Sequence, residues 1–277
     1  MNGVALRAGW RRGVVELRQS FTNGADLWGH FFWPLLMVGV TFYLRDKDFG
    51  GFRLGALVLP SVLGMNASMA MVSMSQQLTA DREDGTLLRA KATPHGVPAY
   101  LLGKIISVSG GLVAELAIFL VPAAVLVPGL AIGAGSWPTL VWVLGLGLAA
   151  ALPLGAVLGS VFTSSRSQGL LTLPILGLIG ISGIFYPVTA LPEWVQGLAQ
   201  VFPVYWTGLG TRSALLPDGA VVVEIGESWR HLETAGVLAA WAVVGLLVAP
   251  VVLRRMARRE SGSSVAERRE RAMRRVG

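Results

Sequence analysis

Long apolar runs separated by short polar ones set the pattern of this chain. Runs at 27–44, 54–78, 105–127, 140–162, 169–186 and 234–253 approach or exceed the roughly 20 residues an α-helix needs to cross about 30 Å of hydrocarbon. Lipid offers no partner for backbone N–H and C=O groups, so such runs cross as helices. The pattern therefore predicts an all-α integral membrane protein with six transmembrane helices. The pieces between the runs carry the exceptions. Residues 1–23 mix Val4, Leu6, Val14, Val15, Leu17 and Phe21 with arginines around Trp10, which suits a helix lying in the membrane interface. Pro34 removes one backbone hydrogen bond from the first span and predicts a kink or a late helix start. Between the fifth and sixth spans, Pro192 is placed to start a helix and Pro203 to stop it. That helix is too short to span, and Trp194, Tyr205 and Trp206 suit the headgroup level, so an external interfacial or re-entrant element is expected. Residues 215–231 are more polar and are expected to form an exposed loop.

Composition sharpens this picture. The 277 residues are 53% hydrophobic and 14% charged, so length counts spans rather than soluble cores. One transmembrane domain over 1–253 and a basic tail over 254–277 are expected. A net charge of +7 raises the question of nucleic acid, and the distribution of the charges answers it. With both termini in the cytoplasm, only Arg45, Lys47, Arg53, Arg212 and Arg230 of the 23 Lys and Arg residues fall in outer segments. The positive-inside rule favours this orientation, multi-pass in the cell (plasma) membrane, with no nucleic acid partner. Arg254, Arg255, Arg258, Arg259 and the arginines after them read as a stop-transfer signal with affinity for anionic lipid. Residues 1–20 lack the apolar run of a cleaved leader, so the first span is expected to direct insertion itself.

The chemistry of catalysis is missing from the pattern. There is no phosphate-binding Gly-x-x-x-x-Gly-Lys-Ser/Thr loop, since Gly103-Lys104-Ile105 has neither the spacing nor the hydroxyl. No nucleophile elbow or His-Glu-x-x-His motif occurs, and the absence of cysteine excludes thiol and disulfide chemistry. His30, His95 and His231 lie far apart in sequence, so no metal site is expected. The chain is read as a non-catalytic subunit without a cofactor of its own. Glu115, near the middle of the third span, is the exception inside the membrane. A carboxylate there is costly and faces a bundle interior or water. It is a candidate for a translocation path or subunit seam, where it is neutral or attracts a cationic substrate; a hydrogen bond to a neighbouring Ser or Trp is the structural alternative. Met65, Asn66 and Met69 in the second span are further path candidates, because methionine adapts to varied apolar partners, although plain packing is its commoner role. Gly155 and Gly159 form a small-residue face for close helix approach.

The segment from Asp81 to Lys104, between the second and third spans, is longer than a connector requires. Gly85 breaks a continuous helix, and Pro94 and Pro98 punctuate the chain again. A short amphipathic helix displaying Asp81, Arg82, Glu83, Asp84 and Arg89 suits docking on a soluble subunit.

These residues carry a resemblance. Arg82-Glu83-x-Gly85-Thr86-Leu87, then a proline, then Tyr100-Leu-Leu-Gly-Lys104 opening the next span, is similar to the permeases of type-2 ABC exporters. The stretch from Phe185 through Pro187, Pro192, Glu193 and Trp194 to Pro203 resembles the actinobacterial daunorubicin-resistance branch, a multidrug efflux and antibiotic-resistance group. The resemblance implies a permease that dimerises with a copy of itself or a paralogous permease and docks two ATP-binding subunits, which hold the ATP and Mg. It carries the coupling role onto Glu83, Gly85 and Thr86. The substrate so implied is a hydrophobic or amphipathic drug or lipid. Export of a polysaccharide or lipid-linked glycan, or a membrane scaffold without transport, are the alternatives. A gradient-driven carrier is disfavoured, because the spans hold one clear ionisable residue, too few for a proton relay.

Overall fold

The computed structural model describes residues 3–49, 52–93, 96–127, 132–161 and 165–259. Ten α-helices carry the described chain: α1 Gly3–Ser20, α2 Gly24–Leu44, α3 Leu54–Glu83, α4 Thr86–Lys91, α5 Gly96–Leu126, α6 Ser136–Val161, α7 Ser165–Ile181, α8 Glu193–Val201, α9 Pro203–Leu215 and α10 His231–Arg259. The only extended structure among the described residues is a two-residue antiparallel ladder, Asp48–Phe49 with Phe52–Arg53, joining α2 to α3. The all-α expectation therefore holds. Helices α2, α3, α5, α6 and α10 are long and apolar enough to cross a membrane, and α7 adds a shorter apolar stretch, Thr172–Ile181.

Several boundaries differ from the apolar runs. α3 continues past 78 to Glu83, and α5 starts at Gly96 rather than 105. The α3 extension is polar and the α5 extension is mostly apolar with Tyr100 and Lys104, and Asp81 of the first pairs with both of these in the second. α7 stops at Ile181, short of 186, because Gly183 takes a left-handed φ of 68° and turns the chain against Val188. α10 runs through the expected domain end at 253 to Arg259. Pro94, His95, the turn at 162–164 and the tail beyond Arg259 lie outside the described residues.

α3 is the hub, packed against α2, α5, α6, α7 and α9. Lipid tails are as apolar as leucine, so close contact rather than hydrophobic exclusion has to hold such a bundle. Gly155 and Gly159 supply it: a Cβ on Gly155 would stand 2.4 Å from the Met71 carbonyl oxygen, and one on Gly159 2.8 Å from the Ser75 Cα. The small-residue face thus packs α6 on α3 within the subunit. α1 uses the same device against α5. Its buried stripe is Ala5, Gly9 and Gly13, while Val4, Leu6, Trp10, Val14 and Val15 face away from the protein, as an interfacial helix requires. α2 turns Trp28, Phe31, Phe32, Trp33, Leu35 and Leu36 away from the rest of the chain.

The end of the bundle remote from α4 is more elaborate than the sequence suggests. Pro192 caps α8 and Phe202 ends it, matching the expected start and stop. Pro203 then opens α9, which is almost wholly buried against α3, α6 and α10. The expected exposed loop after it folds into two 3-10 turns, Asp218–Val223 and Ile225–Glu227, and sends Glu224 inward. Glu224 forks with Arg212 of α9 at 2.6 and 3.2 Å, and Arg212 Nη1 donates to the Gly183 carbonyl at 3.0 Å.

Each of α2, α3, α5, α6, α7 and α10 also carries an interior proline: Pro34, Pro60, Pro122, Pro153, Pro174 and Pro250.

Candidate functional site

The polar stretch after α3 folds into a corner. α3 ends at Glu83, Gly85 adopts a left-handed conformation (φ 80°, ψ 11°), and α4 starts at Thr86. Only glycine enters that region without a steric penalty from Cβ. Asp84 Oδ1 accepts the Thr86 N–H at 2.7 Å, and Arg89 donates to Thr86 Oγ1 at 2.9 Å, so the short helix is braced by its own polar side chains. Leu87 and Ala90 anchor its inner face in the main core.

The expected display of charge divides here. Asp84 and Arg89 are exposed, and Glu83 and Thr86 are half-buried. Asp81 and Arg82 turn inward instead. Asp81 Oδ2 accepts from the Tyr100 hydroxyl at 2.6 Å and pairs with Lys104 Nζ at 2.9 Å. Lys104 also reaches Glu16 of α1 at 3.2 Å, and Glu16 holds Arg12 at 2.8 Å. The Arg12 guanidinium lies 4.8 Å from the centre of the Tyr100 ring. Arg82 is buried and donates to the Ser160 carbonyl at the end of α6 at 3.3 Å. The end of α3 is therefore tied directly to α5 and α6, and through Lys104 to α1.

Glu115 has a partner that its sequence neighbourhood does not reveal. His30 Nδ1 of α2 lies 2.7 Å from Glu115 Oε1 of α5. Gly111, one turn before Glu115, leaves room for the imidazole: a Cβ there would come within 3.2 Å of His30 Cε1. Phe21 stacks on the imidazole with the ring centres 4.7 Å apart.

Both networks line one open cavity of about 740 Å³, bounded by α1, α2, α3, α4 and α5. Its ionisable lining is Glu16, Asp26, Asp81, Glu115, Lys104 and His30. Four carboxylates against one lysine and one histidine make it acidic within a chain whose net charge is +7. Thr86 of α4 also reaches the wall. The structure thus joins Asp81, Thr86 and Glu115, which the sequence offers as two unrelated sites. Met65 and Met69 sit elsewhere on α3, half-buried against the core. Asn66 is buried, and its Nδ2 has no hydrogen-bond partner among the described residues. Among the described residues no cluster of His, Asp and Glu has the makings of a metal site.

Comparison with known families decides what kind of protein carries this corner and cavity. The ABC-2 type transporter family matches residues 6–216, from α1 to just past α9. The chain belongs to the ABC-2 type transporter family. No curated protein matches the chain significantly. ABC-2 domains are the transmembrane permeases of ABC transporters, and ATP is hydrolysed in a partner subunit. The matched span takes in the corner at Gly85, the His30–Glu115 pair and every residue lining the cavity.

The sequence weighs His30 only as a metal ligand, and it singles out neither Glu16 nor α9. A signal for His30 exists: it is the only histidine inside an apolar run, and Gly111 and Glu115 lie four apart on one face of the third.

Proposed function

We propose that this ABC-2 permease is the membrane half of an exporter that takes a hydrophobic or amphipathic drug or lipid from the cytoplasmic side and releases it outside. Both termini and α4 lie in the cytoplasm in this reading, and two ATP-binding subunits dock on the α4 corners of a permease dimer, formed with a second copy or a paralogous chain. The observation that carries it is the shared cavity: the proposed docking corner and the intramembrane carboxylate open on the same space. Its mainly acidic lining favours a cationic amphiphile, because a low-dielectric wall with an excess of one sign concentrates the opposite charge.

The corner geometry supports a route for force. Closure of the partner on ATP pushes α4; Gly85 couples α4 to α3, and the Asp81–Lys104 and Asp81–Tyr100 contacts make α3 and α5 move together. Movement of α5 relative to α2 then acts on the His30–Glu115 contact at the cavity wall.

Co-purification with an ATP-binding subunit, followed by ATP hydrolysis in liposomes, tests the reading. An amphipathic amine should stimulate hydrolysis and accumulate across the bilayer, and Glu115→Gln should lower both. Failure to bind any ATP-binding subunit, or hydrolysis indifferent to every amphiphile, would sink it.

A further inference from the structure

α10 does not end where its apolar run ends. It continues as Leu253-Arg254-Arg255-Met256 to Arg259, with Arg254, Arg255 and Arg258 exposed. The residues of this turn that face inward, Leu253 and Met256, are buried in the same core cluster as Leu87 and Ala90 of α4. A polar contact adds to the packing: Lys91 Nζ, at the end of α4, donates to the Arg258 carbonyl at 3.4 Å. Arg258 lies in the last described turn of α10, and its carbonyl takes this lysine as a donor. α10 and α4 are thus joined although more than 160 residues separate Lys91 from Arg258.

We propose that the basic end of α10 binds anionic lipid headgroups and thereby sets the position of α4. The basic turn continues a helix long and apolar enough to cross the membrane, so its arginines stand at headgroup depth within a turn or two of the hydrocarbon. Arg89 and Lys91 of α4 are exposed as well, and Lys91 reaches the same turn of α10. Each such charge favours an anionic surface by about 1 kcal/mol, a factor of about five in binding. Headgroups that hold Arg254, Arg255 and Arg258 hold Leu253 and Met256 too, and through them the inner face of α4. Lipid charge at that surface becomes an input to the element on which the partner acts. This regulation rests on the coupling role proposed for α4, but its physical core, a lipid-dependent α4, does not.

The experiment is hydrogen exchange on the intact purified chain in nanodiscs of phosphatidylcholine, with and without a minority of phosphatidylglycerol, and with no partner subunit or nucleotide present. Amides of Thr86–Lys91 should exchange several-fold more slowly in the anionic discs. The triple variant Arg254→Gln, Arg255→Gln, Arg258→Gln should lose that difference, and the corresponding triple lysine variant should keep it. Met256→Ala should retain protection at 254–258 but lose the response of α4. Exchange of α4 that ignores lipid charge, or a glutamine variant that still responds, overturns the proposal. A patch that serves a soluble subunit instead gives the first of these results. Because no ATPase is present, this failure leaves the exporter reading standing, whereas failure of co-purification removes that reading alone.

Discussion

His30 and Glu115, 85 residues apart in sequence, meet at 2.7 Å between Nδ1 and Oε1 and join α2 to α5 at the cavity wall. The pair converts a costly lone carboxylate into one half of a contact, and His30 needs Gly111 to fit. A double-mutant cycle with His30→Ala and Glu115→Gln, read by thermal unfolding in detergent, should give a coupling of about 0.5–3 kcal/mol. Strict additivity would mean that the two side chains do not act together.

The two acidic residues that frame the corner should behave differently. Asp81→Asn leaves Lys104 with a weaker partner and should lower stability by about 1–3 kcal/mol. Glu83→Lys should uncouple ATP hydrolysis in the partner from transport. Liposome assays with matched melting curves separate the outcomes, and retained coupling in Glu83→Lys counts against the docking surface.

At the other end of the bundle, Arg212 and Glu224 form a buried fork whose members depend on each other. Glu224→Ala strands a buried guanidinium and should cost about 3–5 kcal/mol. Replacing both together, Arg212→Met with Glu224→Leu, should cost clearly less, because no charge is then left unpaired. Melting temperatures of the three proteins decide the matter.

The approach of α6 to α3 leaves no space at Gly155, where a Cβ would meet the Met71 carbonyl at 2.4 Å. Gly155→Val should destabilise by at least about 1–3 kcal/mol through forced separation of the helices. Gly145, which has nothing within 4 Å of the corresponding position, serves as the control. Gly145→Val should melt close to the parent protein.

The apolar runs made the long helices legible because a lipid environment leaves a backbone few choices. Glycine and proline made the corner at Gly85 and the short helix after Pro192 legible for the same local reasons. What stayed hidden depended on distant partners. Lys104 looks like the edge of a span, yet α5 continues through it because Asp81 and Glu16 neutralise it. Glu224 looks like loop charge until Arg212 is brought beside it. α9 is too short and too mixed in composition to stand out, and its burial comes wholly from the helices around it. The cavity itself draws on five elements, so no window of sequence could show it.

The interior prolines have a consequence for how this bundle can move. Each of the six helices that carry them lacks a backbone hydrogen bond part-way along its length, where proline has no N–H to give. A rod with one missing rung bends there more readily than elsewhere. In the proposed export cycle, opening and closing would be taken up as shallow flexure at these six points, each already short of a rung, rather than by the unravelling of any one rod.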